Sequence, residues 1–281
     1  MTPLVFAAVL CAALLHATWN AMLKTQSDKY AGAFGVALGG VPLGLAAILW
    51  FGLPAAESWP YVVSSALIHT FYYICLLNAY RVADFTQVYP IARGAAPVIT
   101  AVAGAVLIGE VLSPLQSGSV LLIACGVMSL VFAGRGGRSL TGAGLFWALA
   151  TSVIIATYSL NDGVGARLAG NSFSFYGASA TLNAALLAIV IAVRQPKALA
   201  ATIRHPGRTL YLGGPVSFIA YALVTWAFSQ APIAMVSALR EISIVFAVLI
   251  GTLVLRERMD WRRICSSFVT LLGVLLLRVS R

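Results

Sequence analysis

The stretch PIAMVSALREISIVFAVLIGTLVLRERMDW, residues 232–261, sets Arg240 and Glu241 inside an apolar run and closes on Arg256-Glu257-Arg258. A charged side chain near the middle of a bilayer costs a few kcal/mol on insertion scales, so such residues face a water-filled cavity or a partner. Arg240 is therefore a candidate site residue.

The stretch has a twin. A shift of about 147 positions, within the range where internal repeats are worth testing, lays Arg93 on Arg240, Gly104 on Gly251, Glu110 on Glu257 and Gly126 on Gly273. A weaker echo pairs Ala17-Thr18-Trp19 with Ala156-Thr157-Tyr158 at a slightly different offset, as a small insertion between the halves produces. The chain reads as two related halves, 1–138 and 139–281.

Composition sets the class. Hydrophobic residues make up 60% of the chain and charged residues 9%, whereas a soluble domain carries about a quarter charged. This is the composition of a polytopic membrane protein. The formal charge of +10 comes from Lys and Arg concentrated in short connectors between apolar runs, where they report topology and not nucleic-acid binding. Cys11, Cys75, Cys125 and Cys265 each lie within an apolar run, outside any CxxC or CxxH spacing, so they indicate neither a disulfide framework nor a metal site. The first run lacks a basic lead-in, carries His16 and Asn20 and precedes Lys24, the pattern of a retained helix and not of a cleaved signal.

A helix crosses a bilayer with about 20 mostly apolar residues. Ten such runs are expected: Leu4 to Leu23, Gly32 to Phe51, Trp59 to Tyr80, Phe85 to Ile108, Leu115 to Ala133, Gly142 to Leu160, Ser172 to Val193, Arg208 to Phe228, Ile233 to Leu255 and Trp261 to Leu277. Gly35, Gly39, Gly40 and Gly44 give the second run small-xxx-small spacings suited to close helix approach. Pro42, Pro90, Pro97 and Pro215 fall inside runs, where each removes a backbone donor and kinks its helix. The odd-numbered connectors hold thirteen Lys and Arg residues and the even-numbered ones only Arg167. By the positive-inside rule the odd connectors are cytoplasmic and both termini face outward.

Five helices per half is an odd number, so related halves insert with opposite orientations, as in inverted-repeat transporters. The charges follow this expectation. The connector after Glu110, Val111 to Pro114, has no Lys or Arg, while its counterpart after Glu257 is flanked by Arg256, Arg258, Arg262 and Arg263. The fold expected is an all-α membrane protein of ten transmembrane helices in two inverted five-helix repeats.

This architecture, the His16-Ala-Thr-Trp-Asn20 stretch, the Tyr89-Pro-Ile-Ala-Arg93-Gly94 stretch running to Gly109-Glu110, and Leu239-Arg240-Glu241 running to Glu257 together resemble the drug/metabolite transporter superfamily, EamA type. The resemblance covers essentially the whole chain. It implies secondary transport, often export of amino acids or related small metabolites, through a central cavity lined by helices of both halves. It does not name the cargo.

Arg93 and Arg240 are the strongest candidates. An inverted repeat places equivalent residues on either side of a pseudo-twofold axis near mid-membrane, where substrate sites of such proteins lie, and two forked guanidinium groups suit a carboxylate or a phosphate. The competing role is a structural ion pair with Glu241, most easily from Arg93, because Arg240 points about 100° away from its neighbour on one helix. Both roles are compatible if Glu241 is released when substrate arrives. Glu110 and Glu257 fall at helix ends, where a carboxylate caps or salt-bridges a connector or, alternatively, serves a gate. His16 shares a helix face with Asn20, and His69 lies nearer the middle of the third run; each is either a helix-interface residue or a proton carrier. Trp19 and Tyr158 are counterparts in the weaker repeat match, and Tyr89 is one turn from Arg93, so all three are candidate lining residues for an amphipathic organic ion, with packing as the alternative.

No GxxxxGK[ST], HExxH or GxSxG pattern is present. The reading is a multi-pass inner-membrane transporter, not an enzyme, without cofactor or metal, exchanging or exporting a small metabolite such as an amino acid or organic acid. Its partners are that substrate and membrane lipids, without nucleic acid, as a monomer or homodimer. A phosphorylated or phosphonate cargo is the alternative within this class, and an integral-membrane lipid-modifying enzyme the alternative outside it.

Overall fold

The structure, a computed structural model, describes residues 1–281 apart from 25, 27, 83–84, 134–140, 255–260 and 281, with side chains also left out at 29, 74, 76–82, 85–87 and 132–133. Regular elements among the described residues are all helical: α1 (Pro3–Lys24), α2 (Lys29–Phe51), α3 (Trp59–Val82), α4 (Phe85–Ile108), α5 (Pro114–Met128), α6 (Gly142–Leu168), α7 (Ser172–Arg194), α8 (Pro196–Arg204), α9 (Gly214–Gln230), α10 (Ile233–Arg240), α11 (Ser243–Leu253) and α12 (Trp261–Val279). A helix satisfies its own backbone, which is what a chain this apolar needs in lipid. Among the described residues, eight helices or helix pairs are long and apolar enough to cross a membrane. The third and tenth expected runs are helical as well, as α3 and α12, the latter carrying Arg262, Arg263 and Arg278.

Three departures from the expected runs bear on function. The sixth run continues past Leu160 to Leu168, so that Asn161 and Asp162 lie within α6 and not in a connector. The eighth begins with a π-helical turn, Thr209–Gly213, before α9; Pro215 has no N–H to give to Tyr211, and the Gly214 N–H instead reaches back to the Thr209 carbonyl. The ninth is interrupted at Arg240-Glu241. There the N–H groups of Glu241, Ile242 and Ile244 bond three residues back, to Ala238, Leu239 and Glu241, at 3.0, 3.2 and 3.0 Å. No proline or glycine causes this tightening. In addition, the connector after α7 holds a short polar helix, α8.

The chain divides into two compact units, each drawing on both sequence halves. The first comprises Met1–Leu10, Phe71–Leu160 and Ala231–Arg281. Within it α5 packs against α4 and α12, and α10 against α4. The α5–α12 contact is close because Gly126 and Gly273 lack side chains. A Cβ on Gly126 would lie 2.7 Å from the Thr270 nitrogen, and one on Gly273 would lie 2.9 Å from the Ile123 nitrogen.

The second unit comprises Cys11–Thr70 and Asn161–Gln230. Here α2 packs against α7 and α9. A Cβ on Gly177 would lie 2.7 Å from the Gly44 carbonyl, and one on Gly39 would strike the Leu210 carbonyl at the π-helical turn. The glycine spacing of α2 thus serves backbone-to-backbone approach.

Large apolar side chains face outward along the spans, among them Leu49, Val106 and Phe146, while Arg93, Asp162, Arg240 and Glu241 are buried. Lipid, as apolar as these side chains, removes the penalty that water would impose on this arrangement.

Candidate functional site

The first unit holds the buried charges around the interruption of the ninth run. α4 carries Arg93 between Pro90 and Pro97, and α10 ends on Arg240. Arg93 is 3% exposed, Arg240 2% and Glu241 0%. The Arg93 Nε donates to Glu241 Oε2 at 2.8 Å, so the ion pair forms from the arginine on the other helix. Arg240, next in sequence to Glu241, instead sends Nη2 to the Tyr158 hydroxyl at 3.2 Å, with its guanidinium carbon 5.8 Å from the centre of that ring. Adjacent helical residues point about 100° apart, which is why one carboxylate and one phenol receive the two arginines.

The pairing leaves capacity unused. Arg93 Nη2 and Glu241 Oε1 are buried without a hydrogen-bond partner among the described residues, as are the hydroxyls of Ser237 and Ser243 on either side of the interruption. A buried polar group left unsatisfied costs about 1–3 kcal/mol, more when charged, so this concentration is expensive to hold in the structure as it stands. Among the described residues, two guanidinium groups against one carboxylate give the cluster an excess positive charge. Tyr89 lies close enough to Arg93, Glu241 and Arg240 to interact electrostatically. Tyr72 stands edge-on to Tyr158 with ring centres 5.9 Å apart. The cluster is thus an arginine pair walled by tyrosines, chemistry suited to an organic anion.

The remaining candidates fall elsewhere. Glu110 follows Gly109, whose φ of 70° turns the chain at the end of α4. Its Oε2 accepts from the Ile233 N–H at 2.7 Å, supplying the first turn of α10 with a cap that its N-cap residue, Pro232, does not make by side chain. Glu257 lies outside the described residues. In the second unit, Asn20 donates to the His16 carbonyl at 2.8 Å, and His16 meets the Trp19 ring edge-on at 5.2 Å. The Trp19 Nε1 is buried without a hydrogen-bond partner among the described residues. His69 Nε2 stands 2.9 Å from Asp162 Oδ2. Asp162 was hidden in sequence by the expected end of the sixth run at Leu160; the Asn161-Asp162 polar pair one turn after Tyr158 was the available signal.

Comparison with known proteins adds family and fold. Residues 142–279 match the model of the EamA-like transporter family. No curated protein matches the chain. A solved structure described as a crystal structure of a protein superposes with a TM-score of 0.76 at 20% identity, covering 98% of this chain and 96% of that one. At that identity the likeness concerns the fold alone.

Proposed function

Because the chain belongs, through residues 142–279, to the EamA-like transporter family, we propose that it is a secondary transporter of small organic anions such as amino acids or organic acids. Membrane transport of small molecules is the family's activity; the cargo class is read from the charged cluster. The observation that carries it is the pair of buried arginines with one carboxylate between them, Arg93 Nε on Glu241 Oε2 and Arg240 Nη2 on the Tyr158 hydroxyl. An incoming carboxylate takes the place of the Glu241 oxygens on Arg93 and engages Arg240. Glu241 then swings off as the internal stand-in for the cargo's anionic group. The tightened turn at Arg240-Glu241 is the element that moves, since mid-helix turns of this kind mark hinges and interrupted helices form the substrate sites of inverted-repeat transporters.

In this reading the chain sits in the inner membrane with ten spans, both termini extracytoplasmic, and its halves are inverted repeats working by alternating access. Two observations support the repeat. Gly126 and Gly273, 147 positions apart, occupy the same α5–α12 contact, and their obstructing neighbours, Ile123 and Thr270, are separated by the same 147. Such reciprocity is what a local twofold axis gives. Transport needs no ATP-binding loop in this chain, and the energy comes from an ion gradient or from exchange.

The test is counterflow in proteoliposomes. Vesicles preloaded with one unlabelled amino or organic acid at a time are assayed for transient accumulation of the same labelled compound. A carboxylate that shows counterflow with wild type and none with Arg240→Gln supports the reading. Counterflow confined to cations or to uncharged solutes contradicts it.

A further inference from the structure

We infer that His69, Asp162 and Tyr221 form a proton-binding site inside the second unit, separate from the arginine cluster, and that its ligand is H⁺. Its use as the coupling site for cargo movement rests on the transporter reading above; its protonation does not.

Asp162 is 0% exposed and collects donors from other helices. His69 Nε2 on α3 lies 2.9 Å from Oδ2, and the Tyr221 hydroxyl on α9 donates to the same oxygen at 2.7 Å. Asn161 Nδ2 donates to Oδ1 at 3.2 Å and also to the Tyr61 carbonyl at 3.0 Å. Asn161 Oδ1, in turn, accepts from the Ser64 hydroxyl at 2.6 Å. The Tyr221 ring is held edge-on to His69 at 5.3 Å and tilted against Tyr176 of α7 at 5.0 Å. The titratable and polar groups around the carboxylate are thus His69 and Ser65 from α3, Tyr221 from α9, Tyr176 from α7 through Tyr221, and Asn161 from α6 itself. Arg167, five residues along α6, directs its Nε to the Phe228 carbonyl at 3.0 Å.

Among the described residues the ion-pair partner of Asp162 is His69 alone. An arginine or lysine would lock the carboxylate in one charge state across the physiological range, whereas imidazole is the side chain that ordinarily changes charge between about pH 5 and about pH 8. Adding one proton to a neutral imidazole beside the carboxylate takes the couple from a net charge of −1 to zero while the contact at 2.9 Å is kept. The His69 side chain keeps 20% of its surface accessible and that of Asp162 1%, so the imidazole is the less enclosed member of the pair. α6 also carries Tyr158, the Arg240 partner, four residues before Asp162, so one helix bears a residue of the arginine cluster and the proton acceptor.

The experiment is pH-difference infrared spectroscopy of the full chain reconstituted in phosphatidylethanolamine–phosphatidylglycerol vesicles, scanned between about pH 5 and about pH 8. Wild type, Asp162→Asn, His69→Gln and Tyr221→Phe are compared. The expected result is a carboxyl and imidazole difference signal in wild type whose carboxyl part is absent from Asp162→Asn and whose imidazole part is absent from His69→Gln. In Tyr221→Phe, where Oδ2 loses the hydroxyl that donates to it at 2.7 Å, the carboxyl band shifts in frequency from its wild-type position. Spectra of His69→Gln and Tyr221→Phe that match wild type overturn the inference, and they decide it even if Asp162→Asn does not fold. The measurement needs no cargo, so a chain that titrates here but shows no counterflow refutes the transporter reading and leaves the proton site standing.

Discussion

Arg93 on α4 and Glu241 at the interruption of the ninth run are 148 residues apart in sequence and joined by a hydrogen-bonded ion pair of 2.8 Å, with both side chains almost wholly buried. Burying two charges is expensive even when they are paired, and removing one partner costs about 3–5 kcal/mol because the other charge is left alone. Glu241→Gln keeps the shape of the carboxylate but leaves the Arg93 charge alone, and Arg93→Met leaves the Glu241 charge alone, so both are expected to lower the melting temperature in detergent. A Glu241→Gln variant that melts with wild type would show that the pair contributes packing and not electrostatics.

The phenol of Tyr158 gives a milder probe of the second arginine. Tyr158→Phe keeps the ring beside the Arg240 guanidinium and deletes only the hydroxyl that accepts from Nη2 at 3.2 Å. A hydrogen bond to a charged group is worth about 1.5–3 kcal/mol. The expected outcome is a drop of about tenfold or more in carboxylate affinity, measured by calorimetry, with the helical circular dichroism unchanged.

The α5–α12 contact predicts a stability effect with a built-in control. Gly126→Ala and Gly273→Ala each drive a methyl group against backbone, 2.7 Å from the Thr270 nitrogen and 2.9 Å from the Ile123 nitrogen. Overpacking of this kind costs about 1–3 kcal/mol. Gly142→Ala, which meets nothing within 4 Å, is expected to leave the thermal midpoint where it was.

Glu110 predicts a cap effect. Glu110→Ala removes the acceptor of the Ile233 N–H and is expected to cost about 1 kcal/mol, while Glu110→Gln retains a carbonyl oxygen and recovers most of it. Thermal unfolding of the two variants side by side reads the difference. A gating role would instead show as altered counterflow with unchanged melting in both.

Much of this was legible in the chain because charge is rare in it. Arg93, Arg240 and Glu241 stand out in apolar runs, and the 100° between neighbouring helical residues singled out Arg93 as the easier partner of Glu241. Two features were not legible, for a physical reason in each case. The apolar criterion closes a run at its first polar pair, so Asn161-Asp162 marked an end, although α6 continues to Leu168 because those side chains find donors and acceptors within the second unit. The turn at Arg240-Glu241 has no glycine or proline to announce it; it arises in a tertiary setting that draws the two neighbouring charges to different partners.

The orientation is open to a direct check. A C-terminal fusion to a reporter active only outside the cytoplasm is expected to be active, as the charge distribution among connectors requires. Activity of a cytoplasm-only reporter at that end reverses the assignment.

The most direct measurement of the central claim is binding by isothermal calorimetry of purified wild type, Arg93→Lys and Arg240→Gln with amino acids, dicarboxylates and phosphorylated metabolites. The account predicts that a carboxylate class binds wild type and that each substitution weakens it by at least about tenfold, since a forked guanidinium is lost in both. Binding of the same carboxylate with equal affinity by all three proteins would contradict it and leave the arginines as structure alone.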